Sequence, residues 1–139
     1  MMRKLDQRGV AALEFCLVAV PLFLLMFAIF DLGRYAITLQ SLRTLADAGA
    51  RKMMIECYTQ RAIANTSPSD CTSDYLSVAQ KQDAAPYLYI NAGGAPTLST
   101  AAGTNVLTVT ASQPGFTMIM PIWRAVVSTA PSASTSVPF

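Results

Sequence analysis

The stretch VAALEFCLVAVPLFLLMFAIF, residues 10–30, decides the reading of this chain. It holds a single charge, Glu14, and a single helix breaker, Pro21. As an α-helix it would be about 31 Å long, the thickness of a bilayer's hydrocarbon core. Arg3, Lys4 and Arg8 precede it against one Asp6, and cations at one end of a span mark its cytoplasmic side. Asp31 and Arg34 cancel at the other end, so the orientation rests on the N-terminal cluster. Everything after Phe30 is then expected outside the cytoplasm. Pro21 reads as a kink of the kind that membrane helices tolerate.

Composition narrows the function further. The chain has 139 residues, 53% hydrophobic and only 13% charged, against roughly 25% charged in an ordinary soluble domain. A disordered tail and a basic nucleic-acid-binding domain are excluded on that ground. The net charge of +2 is matched by residues 1–9 alone, three cations minus one anion, which leaves the remainder neutral. There is no electrostatic footprint for nucleic acid. Histidine is absent, which removes His-activated nucleophiles and imidazole metal ligands. Asp70, Asp74 and Asp83 are scattered, and Gly93-Gly94 lacks the lysine and serine of a phosphate loop. Three cysteines without a C-x-x-C pair do not suggest zinc. The expectation is a protein with no catalysis and no cofactor.

A basic segment before an apolar run also describes cleaved secretory signals. Those have a shorter apolar region with a small-x-small site soon after it. Here the nearest Ala-x-Ala, Ala46-Asp47-Ala48, lies 16 residues beyond Phe30 in further helical text. Removal of the basic leader with retention of the apolar helix fits better. Arg8-Gly9-Val10-Ala11-Ala12-Leu13-Glu14-Phe15 closes the charged leader with a glycine and places a carboxylate at the fifth position after it. This resembles the processing site of type IV prepilins, and Glu14-Phe15 is close to the Glu-aromatic pair of the tight-adherence pilus branch. Asp31-Leu32-Gly33-Arg34 and Ala46-Asp47-Ala48-Gly49-Ala50-Arg51 resemble two more patches of the TadE-like pseudopilin family.

The resemblance implies a minor pilin, cut between Gly9 and Val10 by a prepilin peptidase and involved in assembling a tight-adherence pilus for surface adhesion and biofilm formation. Its implied partners are that peptidase, other pilin and pseudopilin subunits, the pilus assembly platform and the lipid bilayer. The implied location is the bacterial inner membrane, crossed once, with the C-terminal domain periplasmic. The alternative is an uncleaved, membrane-anchored periplasmic scaffold or binding protein.

Glu14 has a role on physical grounds alone. A carboxylate inside a membrane helix costs a few kcal/mol unless it is paired or faces protein. A cut before Val10 would create an amine one turn away, on the same helix or a neighbouring subunit's, and a helix N-terminus favours negative charge. The alternative is a solvated side chain at the membrane surface.

Past residue 30 the helical pattern continues. Leu32, Tyr35, Ala36, Leu39, Leu42, Ala46, Ala50 and Met53 recur at three- and four-residue spacing with Gly49 in register. An unbroken helix to about Glu56 would be roughly 70 Å long. The stripe is expected to pack on the chain's own C-terminal domain, with a partner-binding seam as the other option. Arg43 with Asp47 and Asp47 with Arg51 can pair across one turn.

Cys57 and Cys71 flank turn-rich text, Asn65-Thr66-Ser67-Pro68-Ser69-Asp70. In an oxidising compartment a bridge between them would contribute about 3 kcal/mol, leaving Cys16 alone in the apolar run. Two free thiols that never meet remain the alternative, because sequence supplies no geometry. Residues 73–82 suggest a short capped helix ended before Pro86. Residues 87–90, 105–112 and 116–123 read as strands, the last limited to an edge or split by Pro121. Gln113-Pro114-Gly115-Phe116 is turn chemistry. Met118, Ile119, Met120, Ile122 and Trp123 are expected in the core. Arg124 reads as a surface cation, and residues 128–139 as a last edge strand or a loose end. The predicted organisation is a leader (1–9), a transmembrane helix (10–30), its continuation (31–56) and an extracytoplasmic domain (57–139). The fold class is α+β, pilin-like: a long N-terminal helix followed by a small β-sheet.

Overall fold

The apolar run and the stripe beyond it form one helix. The computed structural model describes residues 7–90, 94–120 and 130–139. Helix α1 (Gln7–Met53) carries Pro21 in its interior and passes without a break into a π-helical turn, Met54–Tyr58, and then α2 (Thr59–Ile63). The helical rod from Gly9 to Ile63 has 55 residues, about 80 Å, so it outlasts the expected end near Glu56. The wide turn is held where the Thr59 N–H and Oγ1 both donate to the Met54 carbonyl, the hydroxyl at 2.7 Å. It brings both Cys57 and Tyr58 onto the core that Met53 enters.

The rest of the chain is a small α+β domain wrapped on the second half of this rod. A 3₁₀ turn (Pro68–Asp70) is followed by α3 (Val78–Ala84), α4 (Pro86–Ile90) and strands β1 (Thr97–Gly103), β2 (Val106–Ser112) and β3 (Ser132–Pro138). The strands form an antiparallel sheet in the order β1-β2-β3. Val109 at its centre pairs with Thr100 on one side and Thr135 on the other. Asn105 turns the β1–β2 hairpin with φ of 60°, a conformation that asparagine tolerates better than most residues.

The core lies between α1 and the inner face of the sheet. Leu42, Leu45 and Ala46 meet Ala111 of β2 and Ala85 and Leu88 of the α3–α4 segment. Further along the rod, Ala50 and Met53 meet Leu107, Val109 and Cys71. Burial of each leucine contributes about 1.5–3 kcal/mol. Gly49 lies at the crossing: a Cβ there would come within 2.8 Å of Leu98 Cδ2 and 3.2 Å of Val109 Cγ1.

Several local expectations are corrected. Residues 87–90 are helical: Pro86 starts α4, Leu88 is buried on α1, and a short apolar run does not itself distinguish strand from buried helix. Residues 116–120 form no strand, and 121–123 lie outside the described residues, as does Arg124. Residues 73–77 are not helical; Ser77 caps α3 in a reciprocal capping box with Gln80. Met118 is buried, whereas Ile119 is 67% exposed. In the first part of the stripe Leu32 and Ala36 face outward, and Asp31 and Thr38 are the buried residues. Asp47 accepts a hydrogen bond from Thr135 Oγ1 at 2.6 Å instead of pairing along the helix. The nearby pair on the rod is Lys52 with Glu56, 2.7 Å apart.

Candidate functional site

The first half of α1 is bare. Between Val10 and Phe30 the large apolar side chains are 41–71% exposed, on every side of the helix. This patch is far larger than a soluble monomer carries. Among the described residues this is the one helix long and apolar enough to cross a membrane. Cys16 lies on it as a free, exposed cysteine.

Gly9, Val10, Glu14 and Phe15 occupy its first turns. A Cβ added at Gly9 would meet nothing within 4 Å, and Val10 and Glu14 stand one helical turn apart. Glu14 is exposed, and no described residue donates to it or pairs with it. Arg3, Lys4 and Asp6 lie outside the described residues. The structure therefore sets these four residues along one projecting helix and gathers them into no pocket. The arrangement is a linear, exposed segment whose carboxylate has no charge partner among the described residues.

The transition from bare to covered helix occurs at Asp31, 1% exposed and directly after Phe30. Its carboxylate accepts from the Ile119 N–H at 3.1 Å and the Met120 N–H at 2.8 Å, and Arg34 Nη1 lies 3.7 Å away. Charge-assisted bonds of this kind contribute about 1.5–3 kcal/mol each. The Arg34 guanidinium also lies over the Phe116 ring at 5.8 Å, and Tyr35 meets the same ring edge-on at 5.9 Å. Chain length explains the geometry. Ala111 packs beside Leu45 and Ala46, about 22 Å along the rod from Asp31. The eight steps from Ala111 to Ile119 span at most about 26–29 Å, so the segment is long enough to descend the helix even with the turn at Pro114 and Gly115. Gln113 fixes its start, donating its N–H to Pro131 O at 3.0 Å and its Nε2 to Gly94 O. Sequence reasoning singled out Asp31 and Arg34 only as a motif patch and a cancelling charge pair. An acidic residue directly after an apolar span was the signal available in the sequence.

At the far end of the rod Cys57 and Cys71 form a disulfide with Cα atoms 5.8 Å apart. It fastens the π turn to the chain that leaves α2. Among the described residues no cluster of His, Cys, Asp or Glu could hold a metal ion.

The family model described as TadE-like protein matches residues 9–51. Its span covers the bare helix, the Asp31 junction and the part of the rod that carries Gly49. No curated protein and no solved structure matches the chain.

Proposed function

We propose, with the TadE-like match over residues 9–51 as the premise, that this chain is a minor pilin-like subunit of a tight-adherence pilus. In this reading α1 anchors it in the inner membrane through residues 10–30, and the domain built on residues 31–139 faces the periplasm. A prepilin peptidase removes residues 1–9 and leaves Val10 as the new N-terminus. The bare helix then packs among the helices of other pilin and pseudopilin subunits at the assembly platform, and the protein performs no catalysis of its own. The observation that carries the reading is one helix with two environments: an apolar, uncovered first half with Glu14 unpartnered, and a second half embedded in a small domain. A carboxylate in that position calls for a cation, and the amine freed at Val10 supplies one a turn away.

N-terminal sequencing and intact mass of the protein from cells carrying the cognate peptidase test the processing step. Val10 should lead, and Gly9→Leu should block the cut while membrane insertion persists. Glu14→Gln, which keeps the shape and removes the charge, should still insert yet impair pilus assembly at matched protein levels. Protein that still begins at residue 1 or 2 in such cells would support the uncleaved anchored scaffold instead.

A further inference from the structure

The segment that Asp31 captures ends in an exposed apolar residue at a particular height. Phe30 closes the apolar span, Asp31 follows it, and the Ile119 and Met120 amides bond directly to the Asp31 carboxylate. The headgroup layer is about 5–7 Å deep on each side of the hydrocarbon core. A residue hydrogen-bonded to the first position past the span lies within that layer. Ile119 is 67% exposed there, while Met118 and Phe116 beside it turn inward. The carboxylate of the same junction is satisfied internally, holding two amides and standing beside Arg34, and Ile119 is the exposed apolar side chain of residues 116–120.

We propose that residues 119–120 form a second membrane contact, with Ile119 inserted at the boundary between headgroups and acyl chains beside the anchor, and with Asp31 as the latch that holds it there. The occupant is the bilayer because the contact is continuous with the span itself. An apolar side chain at this depth gains by leaving water for the interface. The domain would then ride against the membrane at a fixed height instead of swinging freely on its helix. The inference rests on residues 10–30 spanning the bilayer.

The test uses the full chain in phosphatidylethanolamine–phosphatidylglycerol vesicles. Trp123, the only tryptophan, is replaced by Phe, and single probes are placed by Leu22→Trp, Ile119→Trp or Ile63→Trp. Ile63 is 77% exposed at the far end of the rod and controls for tryptophan's own interfacial preference. Retention of the Cys57–Cys71 disulfide and of the circular dichroism spectrum checks the fold. Spin labels on acyl chains should quench the Leu22→Trp probe, labels at the headgroup should quench Ile119→Trp, and neither should reach Ile63→Trp. Adding Asp31→Ala should abolish quenching of the Ile119→Trp probe and leave Leu22→Trp unchanged. If Leu22→Trp is quenched while Ile119→Trp behaves like Ile63→Trp, the second contact is wrong and the anchor stands. Emission from Ile119→Trp that responds to protein density and not to labelled lipid would place a neighbouring subunit there and equally overturn the lipid contact. Quenching that survives Asp31→Ala would overturn the latch. Loss of quenching at Leu22→Trp would remove the anchor and the contact together.

Discussion

Between residues 10 and 30 the helix presents large apolar side chains in every direction, whereas from Leu42 to Met53 it presents them on one face and covers that face with the sheet and α4. The backbone is the same α-helix throughout. Only the surroundings implied by the side chains differ. An all-round apolar helix wants a solvent as apolar as itself, and a one-sided helix wants water on its other side. The comparison teaches that secondary structure carries no information about where the bare half ends; the buried carboxylate of Asp31 marks that point.

The comparison breaks most readily at matched leucines. Leu45→Ala should cost the C-terminal domain about 2–5 kcal/mol, since it empties a fully buried site. Leu22→Ala, at an exposed site in the bare half, should leave that domain's unfolding midpoint in detergent unchanged. Equal losses at the two positions would mean that the halves are not distinct.

The bridge sharpens the contrast from the other end. Cys57 and Cys71 lie 14 residues apart in sequence, so the double Cys→Ser variant should lose about 3 kcal/mol of domain stability in the chain-entropy account. Denaturation of oxidised and variant protein gives that difference directly. Membrane insertion should not change, because the bridge lies at the opposite end of the rod from the span.

Two glycines give the smallest and most local test. Gly33 faces open space, while Gly49 faces Leu98 and Val109. Gly33→Ala should therefore gain up to about 1 kcal/mol of helix stability. Gly49→Ala should forfeit that gain, because β-branched Val109 has little freedom to yield. Thermal unfolding of the two variants side by side separates them.

The long helix was legible because its signal is repeated over many residues: an unbroken apolar run, then a stripe at helical spacing. Strand β2 was legible for a similar reason, with β-branched residues alternating between turn signals. Strand β1 was not foreseen, since Leu98 is its only large apolar residue and its place is set by pairing with β2. The segment 116–120 reads locally as a strand, yet its last two amides, of Ile119 and Met120, are claimed by a carboxylate 88 and 89 residues earlier in the chain. No local pattern encodes a partner at that distance. The same limit applies to Glu14, whose environment in the proposed filament lies in other chains.

Thiol labelling of intact spheroplasts tests the central claim, that one continuous helix leaves lipid for water at Asp31. In a Cys16→Ala background, Ile63→Cys should react with a membrane-impermeant maleimide added from outside, without lysis. Leu24→Cys should react from neither side. Labelling of Ile63→Cys only after lysis, or ready labelling of Leu24→Cys from water, would contradict the account.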